Sequence, residues 1–122
     1  MERLSNQEFN EKLRERTKQF ALKIIVLSDE LPIKESARII NRQLLRSATS
    51  MAANFRAACR GRSKQEFYSK ICIVVEETDE TQFWLEMLQE SKIVDCLKLK
   101  SFLDEISEIL AITTSIKNKL RP

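Results

Sequence analysis

One glycine and two prolines are all that 122 residues offer for tight turns. Gly61, Pro32 and Pro122 cannot punctuate a series of short strands, because hairpin loops draw on Gly, Asn, Asp and Pro for their unusual backbone angles. The chain is therefore committed to long elements with few connections, which argues against an all-β fold. Its charged fraction of 32% is dominated by Glu, Lys and Arg, all good helix formers. The length suits one domain over residues 1–122, large enough to bury a core without disulfide or metal staples.

Apolar spacing sets the elements. Residues 6–28 carry Phe9, Leu13, Phe20, Ile24 and Leu27 at three- and four-residue steps, with Thr17 filling the gap, the signature of an amphipathic helix. The stretch DELPIKES breaks it, since Pro32 disfavours helix at Leu31 and Ser36 is a cap for the next helix. That second helix spans residues 36–60 on Ala37, Ile40, Leu44, Ala48, Met51, Phe55 and Ala58, with Gly61 placed as its left-handed C-terminal cap. The third, residues 63–91, opens on Ser63 and Glu66 in a capping-box pattern and carries Phe67, Ile71, Val74, Val75, Thr78, Leu85 and Leu88. The fourth, residues 97–120, turns Leu99, Phe102, Leu103, Ile106, Ile109, Leu110, Thr113, Ile116 and Leu120 inward. Helices of roughly 33–42 Å at ~1.5 Å per residue, joined by short connections, make an all-α, antiparallel, up-down-up-down four-helix bundle. The ends, MERLS and KNKLRP, are expected to fray.

The same composition excludes much chemistry. There is no histidine, hence neither the commonest general base nor the commonest metal ligand. Cys59, Cys72 and Cys96 are odd in number without CxxC spacing; they read as reduced thiols of a cytoplasmic protein. A single glycine rules out a phosphate-cradling Gly-rich loop. The start is too charged for a signal peptide, and no apolar run approaches the ~18 residues of a membrane span. Glu76, Glu77 and Glu80 could form a carboxylate metal site, but the helical wheel turns them away from the core, where bundle metal sites lie. No cofactor, metal or small-molecule substrate is expected, and the chain does not read as an enzyme.

Charge distribution is the informative remainder, since a net charge of +3 is mild. Residues 36–65 contain no acid. At ~100° per residue, Arg38, Arg42, Arg46, Arg56 and Arg60 fall within an arc of about 80°, roughly opposite the apolar stripe. Small residues, Thr49, Ala53 and Ala57, lie between them, and Arg62 and Lys64 extend the patch. Such a face could track a phosphate backbone of RNA or DNA. No aromatic is interleaved for stacking, so it would read backbone rather than bases. Residues 76–90 form the complement, with Glu76, Glu77, Asp79, Glu80, Glu86 and Glu90 and no base. On the wheel Ile73, Trp84 and Met87 join Glu76, Glu77 and Glu80 away from the core, an apolar patch of interface character. Two arrangements are open. The acidic-apolar face of one subunit meets the arginine face of the next, a heterologous contact that can close into a ring, or the two faces pair their charges within one bundle.

The stretch RQLLRSATSMAANFRAACRGRSKQEF, followed by EETDETQFWLEML, resembles the bacterial four helix bundle protein family. Its members include proteins encoded in intervening sequences of large-subunit ribosomal RNA genes, and a relative is the accessory variability determinant of diversity-generating retroelements. The resemblance covers about residues 9–120. Its most specific parts are Arg46-Ser47-Ala48 with Ser50 and Asn54, then residues 63–67, then residues 77–85. It implies an antiparallel four-helix bundle and a homo-oligomer, since a homopentameric ring is typical of the family's known members. The retroelement relative is basic and works with a reverse transcriptase and nucleic acid. Many members read Asn-x-x-Glu-Gly where Asn54 is followed here by Phe55-Arg56-Ala57-Ala58, which places this chain in a different branch.

Overall fold

The structure is a computed structural model that describes residues 6–122. Its described residues form four helices, α1 (Asn6–Asp29), α2 (Glu35–Cys59), α3 (Lys64–Glu90) and α4 (Cys96–Leu120). Among the described residues consecutive helices pack side by side, and α1 closes the ring of four by lying next to α4, while the diagonal pairs are not neighbours in backbone. Cross-contacts between the first and last helices run in opposite senses along the two, Arg16 with Glu105, Phe20 with Phe102 and Glu30 with Lys98, so α1 and α4 are antiparallel. Helices α2 and α3 are joined by a short turn and meet at Ser47 and Thr81. The expected fold class is thus the observed one.

The core is made of the anticipated stripes with two corrections: Phe9 keeps 40% of its exposure, and Ser47 and Thr81, outside those stripes, are buried. Ile24, Leu44, Met51, Phe55, Ile71, Val74, Leu85, Leu88, Leu99, Ile106 and Ile109 are fully buried. In α3 the buried positions are Ile71, Val74, Thr78, Thr81, Leu85 and Leu88, alternating steps of three and four without a break. That is a seven-residue repeat, and a straight helix drifts by ~20° per heptad against it. The core-facing direction of α3 therefore rotates along its length.

Buried hydroxyls sit among these apolar residues and are satisfied locally. Thr17 donates to the Arg14 carbonyl at 3.0 Å, Thr78 to Val74 at 2.6 Å and Thr113 to Ile109 at 2.9 Å. Thr81 Oγ1 lies 2.8 Å from the Glu77 carbonyl and 3.0 Å from Ser47 Oγ, while Ser47 donates to Leu44 at 3.2 Å. This polar rung links α2 to α3 across the core, while each hydroxyl also keeps a carbonyl of its own helix.

Two local expectations are corrected. Ser36 does not cap α2; Lys34, in extended conformation, is the cap residue and makes no side-chain cap bond. Ser36 already lies inside the first turn, and Glu35 supplies the negative charge that a helix N-terminus favours. Gly61 is not left-handed; the described residue with positive φ is Lys92, at 63°, beyond the end of α3. What Gly61 provides is space. A Cβ there would stand 3.1 Å from the Ala58 carbonyl oxygen and 3.3 Å from the Phe67 nitrogen, so a side chain would press the start of α3 a few tenths of an ångström away from the end of α2. Of the two ends expected to fray, residues 1–5 lie outside the described residues, and residues 117–120 are helical. The third helix does open on Ser63, whose side chain accepts from the Glu66 amide. Glu66 reaches back one residue further than a capping box requires, accepting from the Arg62 amide at 3.1 Å.

Candidate nucleic-acid interface

The arginine stripe of α2 exists, but its members differ in what surrounds them. Arg38, Arg42, Arg46, Arg56 and Arg60 are all exposed. Arg38 is paired along its own helix with Glu35 at 2.5 Å. Arg46 turns toward α3 and is held by two carboxylates, Glu77 at 2.9 Å and Glu80. Those hydrogen bonds, Glu80's first, push its guanidinium further up. Gln43 accepts from its Nε at 3.4 Å. Of the two arrangements left open by the sequence, charge pairing within one bundle is the one Arg46 adopts. Arg42, Arg56 and Arg60 have no ion-pair partner among the described residues. Arg62 leans loosely on Glu66 at 3.9 Å, and Lys64 is exposed and unpaired among the described residues.

Two further cations join the unpaired arginines. Arg14 and Lys18 of α1 share with Arg56 and Arg60 of α2 a cleft of about 390 Å³, floored by Ala52 and Ala53. The one carboxylate of its lining, Glu15, accepts from Gln19 at 2.9 Å. On each helix the two cations stand four residues apart, about 6 Å along the axis at ~1.5 Å per residue. The cleft is thus a pair of basic ladders over a small-residue floor. A wheel drawn for α2 alone could not find it, since half of its charge belongs to another helix. The signal available was the four-residue spacing of Arg14 and Lys18 away from the core stripe of the first helix.

The proposed assembly face of α3 is also redrawn. Trp84 is half-buried against the core, and its indole Nε1 donates to Glu80 at 3.2 Å. The Glu77 side chain retains only 14% of its exposure. The expectation that Trp84 stands in water is therefore corrected. The heptad drift of α3 carries the core seam toward residues 77 and 84, which a fixed wheel leaves far outside. What remains exposed is a stripe of Ile73 (38%), Phe83 (48%) and Met87 (39%) with Glu76, Asp79 and Glu90. Phe83 escaped the sequence reading of this face. A second outward apolar group, Leu22, Ile25 and Val26 on α1, escaped it too, because the core stripe of that helix accounts for itself without them.

The thiols are free, and Cys59 is half-buried, with its sulfur 3.9 Å from the Asn10 carbonyl. Burial pushes the Cys59 thiol up, the opposite of what a nucleophilic thiolate needs. No group of three metal-ligating side chains converges among the described residues. No described helix is long and apolar enough to cross a membrane.

Fold and surface together define a small antiparallel four-helix bundle with a basic cleft on its α1/α2 flank. The chain belongs to the 23S rRNA-intervening sequence protein family, matching it over residues 4–115. It is similar to the crystal structure of a protein of unknown function from the S23 ribosomal protein family of Bacteroides thetaiotaomicron. The two share 28% identity and a TM-score of 0.82, over 89% of this chain and 97% of that one. No curated protein matches the chain. Neither the family nor the structural neighbour is described by an enzymatic activity.

Proposed function

We propose that this protein is a non-enzymatic helical bundle that binds the sugar-phosphate backbone of RNA or DNA in the α1/α2 cleft. The observation that carries this reading is the convergence of Arg14, Lys18, Arg56 and Arg60 on one cleft, none of them paired to a carboxylate among the described residues. Unpaired cations lined up at helical spacing favour a polyanion. The alanine floor lets a backbone approach closely, and the lack of aromatics in the lining favours contact without base reading. Arg38 and Arg46, already neutralised by their own subunit, contribute little, whereas Arg42 extends the track along α2.

Fluorescence anisotropy with labelled single- and double-stranded RNA and DNA tests it. Four phosphate contacts give a slope of log affinity against log salt of about −3 for a single strand, at ~0.7 per contact. Arg14→Glu with Arg56→Glu should abolish binding, and Arg38→Glu should leave it nearly unchanged. Absence of binding to every one of these ligands at low salt sinks the reading.

A second property is favoured by a separate observation, the exposed apolar-acidic stripe of α3. Ile73, Phe83 and Met87 among carboxylates form a surface suited to self-assembly, by heterologous contact with Arg42, the unpaired arginine of α2 outside the cleft, in the next subunit. The pentamer is the ring size that the family resemblance favours. Size-exclusion chromatography with light scattering should show an oligomer that Phe83→Glu with Met87→Glu converts to monomers. A monomeric wild type at high protein concentration rejects the assembly while leaving the cleft reading intact.

A further inference from the structure

The four helices do not close equally. The seam between α1 and α4 is the least contacted of the four neighbouring pairs. It is held in its middle by Arg16 with Glu105 and by the edge-to-face pair of Phe20 and Phe102, and further along by Lys98 with Glu30. Beyond Arg16, toward the start of α1 and the end of α4, the helices part. Among the described residues they leave an open groove of about 1000 Å³ against the α2–α3 turn.

The lining of this groove is two-toned. Phe9, Phe67, Ile112, Ile116 and Leu120 form its apolar walls. Ile112, Ile116 and Leu120 rise along α4 at four-residue steps, a wall about 12 Å long at ~1.5 Å per residue. Among the described residues, the charged ones that line it are Arg62, Lys64 and Lys119, all cations, with no carboxylate. Lys64 and Lys119 have no ion-pair partner among the described residues. Phe9 keeps 40% of its exposure, large for an aromatic that points into a cavity.

The geometry points to a docking groove for an acidic amphipathic helix of a partner protein. The gap lies between the parted ends of α1 and α4, and its volume corresponds to roughly two turns of a helix about 10 Å across. An apolar face presenting i, i+3 and i+4 side chains matches the apolar walls, which is the helix-in-groove mode of recognition. The rim of Arg62, Lys64 and Lys119 selects acidic flanks on that helix. The three cations also steer its approach. This groove is separate from the α1/α2 cleft and needs none of the cleft's residues.

The probe is a fluorescein-labelled, end-capped peptide of about three helical turns, with leucine at i, i+3, i+4 and i+7 and glutamate elsewhere. A lysine-for-glutamate version and a serine-for-leucine version serve as controls. Anisotropy should show saturable binding of the glutamate peptide, at least about tenfold tighter than either control, the gap that separates a real charge preference from background. Lys64→Glu with Lys119→Glu lies on the surface and should fold, and it should invert the preference toward the lysine peptide. Phe9→Ser should weaken both. No binding at low salt, equal binding of the two charged peptides, or indifference to both variants overturns the proposal. So does displacement of the peptide by an RNA oligonucleotide, which would assign the cations to phosphate. Binding of dodecanoate without the peptide would assign the groove to acyl anions. Self-association lost in Phe9→Ser would assign it to a second copy of the chain, and either result also overturns the proposal.

Discussion

Arg16 shows how a single side chain can hold two distant parts of the sequence together. Its Nε and Nη2 donate to the two oxygens of Glu105, each at 2.7 Å, and Nη2 also reaches Glu108 at 3.1 Å. The fork fits the carboxylate in two places at once, which makes it stronger than a simple surface pair. The Arg16 guanidinium holds the Glu105 carboxyl below the usual carboxylate range. A lowered folded-state value means that the pair's stabilisation is present above the unfolded carboxylate value of about 4.3. It is lost as pH falls through the lowered one. Glu105→Gln should therefore cost about 1 kcal/mol at neutral pH, since the pair is partly solvated. That difference from wild type should shrink toward zero in strong acid. Urea melts at the two pH values read it directly, and a gap that persists at low pH would show that the pair acts by packing rather than charge.

At the scale of elements, the caps and seams explain which expectations survive. Ser63 satisfies the Glu66 amide at 3.1 Å, so Ser63→Ala should destabilise the protein by about 1 kcal/mol. Thermal unfolding should show this, with Ser63→Asp retaining most of the stability. The periodic stripes were legible because burial imposes a spacing that local sequence must obey. Leu44, Met51 and Leu85 could face nowhere but inward. The outer faces were less legible, because what a flank residue does depends on the neighbouring helix. Trp84 and Glu77 look outward on an isolated wheel, yet the seven-residue seam of α3 brings them to the edge of α2, where Arg46 receives the carboxylate. Arg46 itself looked like one of five equivalent cations until a second helix supplied its partners. The cap of α2 was misread for a simpler reason. Several polar residues precede that helix, and the choice among them is made by where the chain leaves the α1–α2 turn.

For the molecule as a whole, the unequal seams divide its surface into uses. The α2–α3 pair is the most extensively packed and carries the buried Ser47–Thr81 rung. Outward from that pair lie the arginine track and the acidic-apolar stripe. The cleft with Arg14 and Lys18 needs the docking of α1 on α2 and could not be read from either helix alone. The parted seam between α1 and α4 sets a hierarchy in time as well as in space. Because α1 and α4 each lean chiefly on one neighbour, they should open before the α2–α3 pair, as sparsely contacted elements do. Amide deuterium uptake followed by mass spectrometry should find mid-helix sites near Ile24 exchanging through a cheaper opening than those near Met51 and Val74. A rigid hairpin of α2 and α3 would then carry a hinged first helix, and the basic cleft would breathe with it.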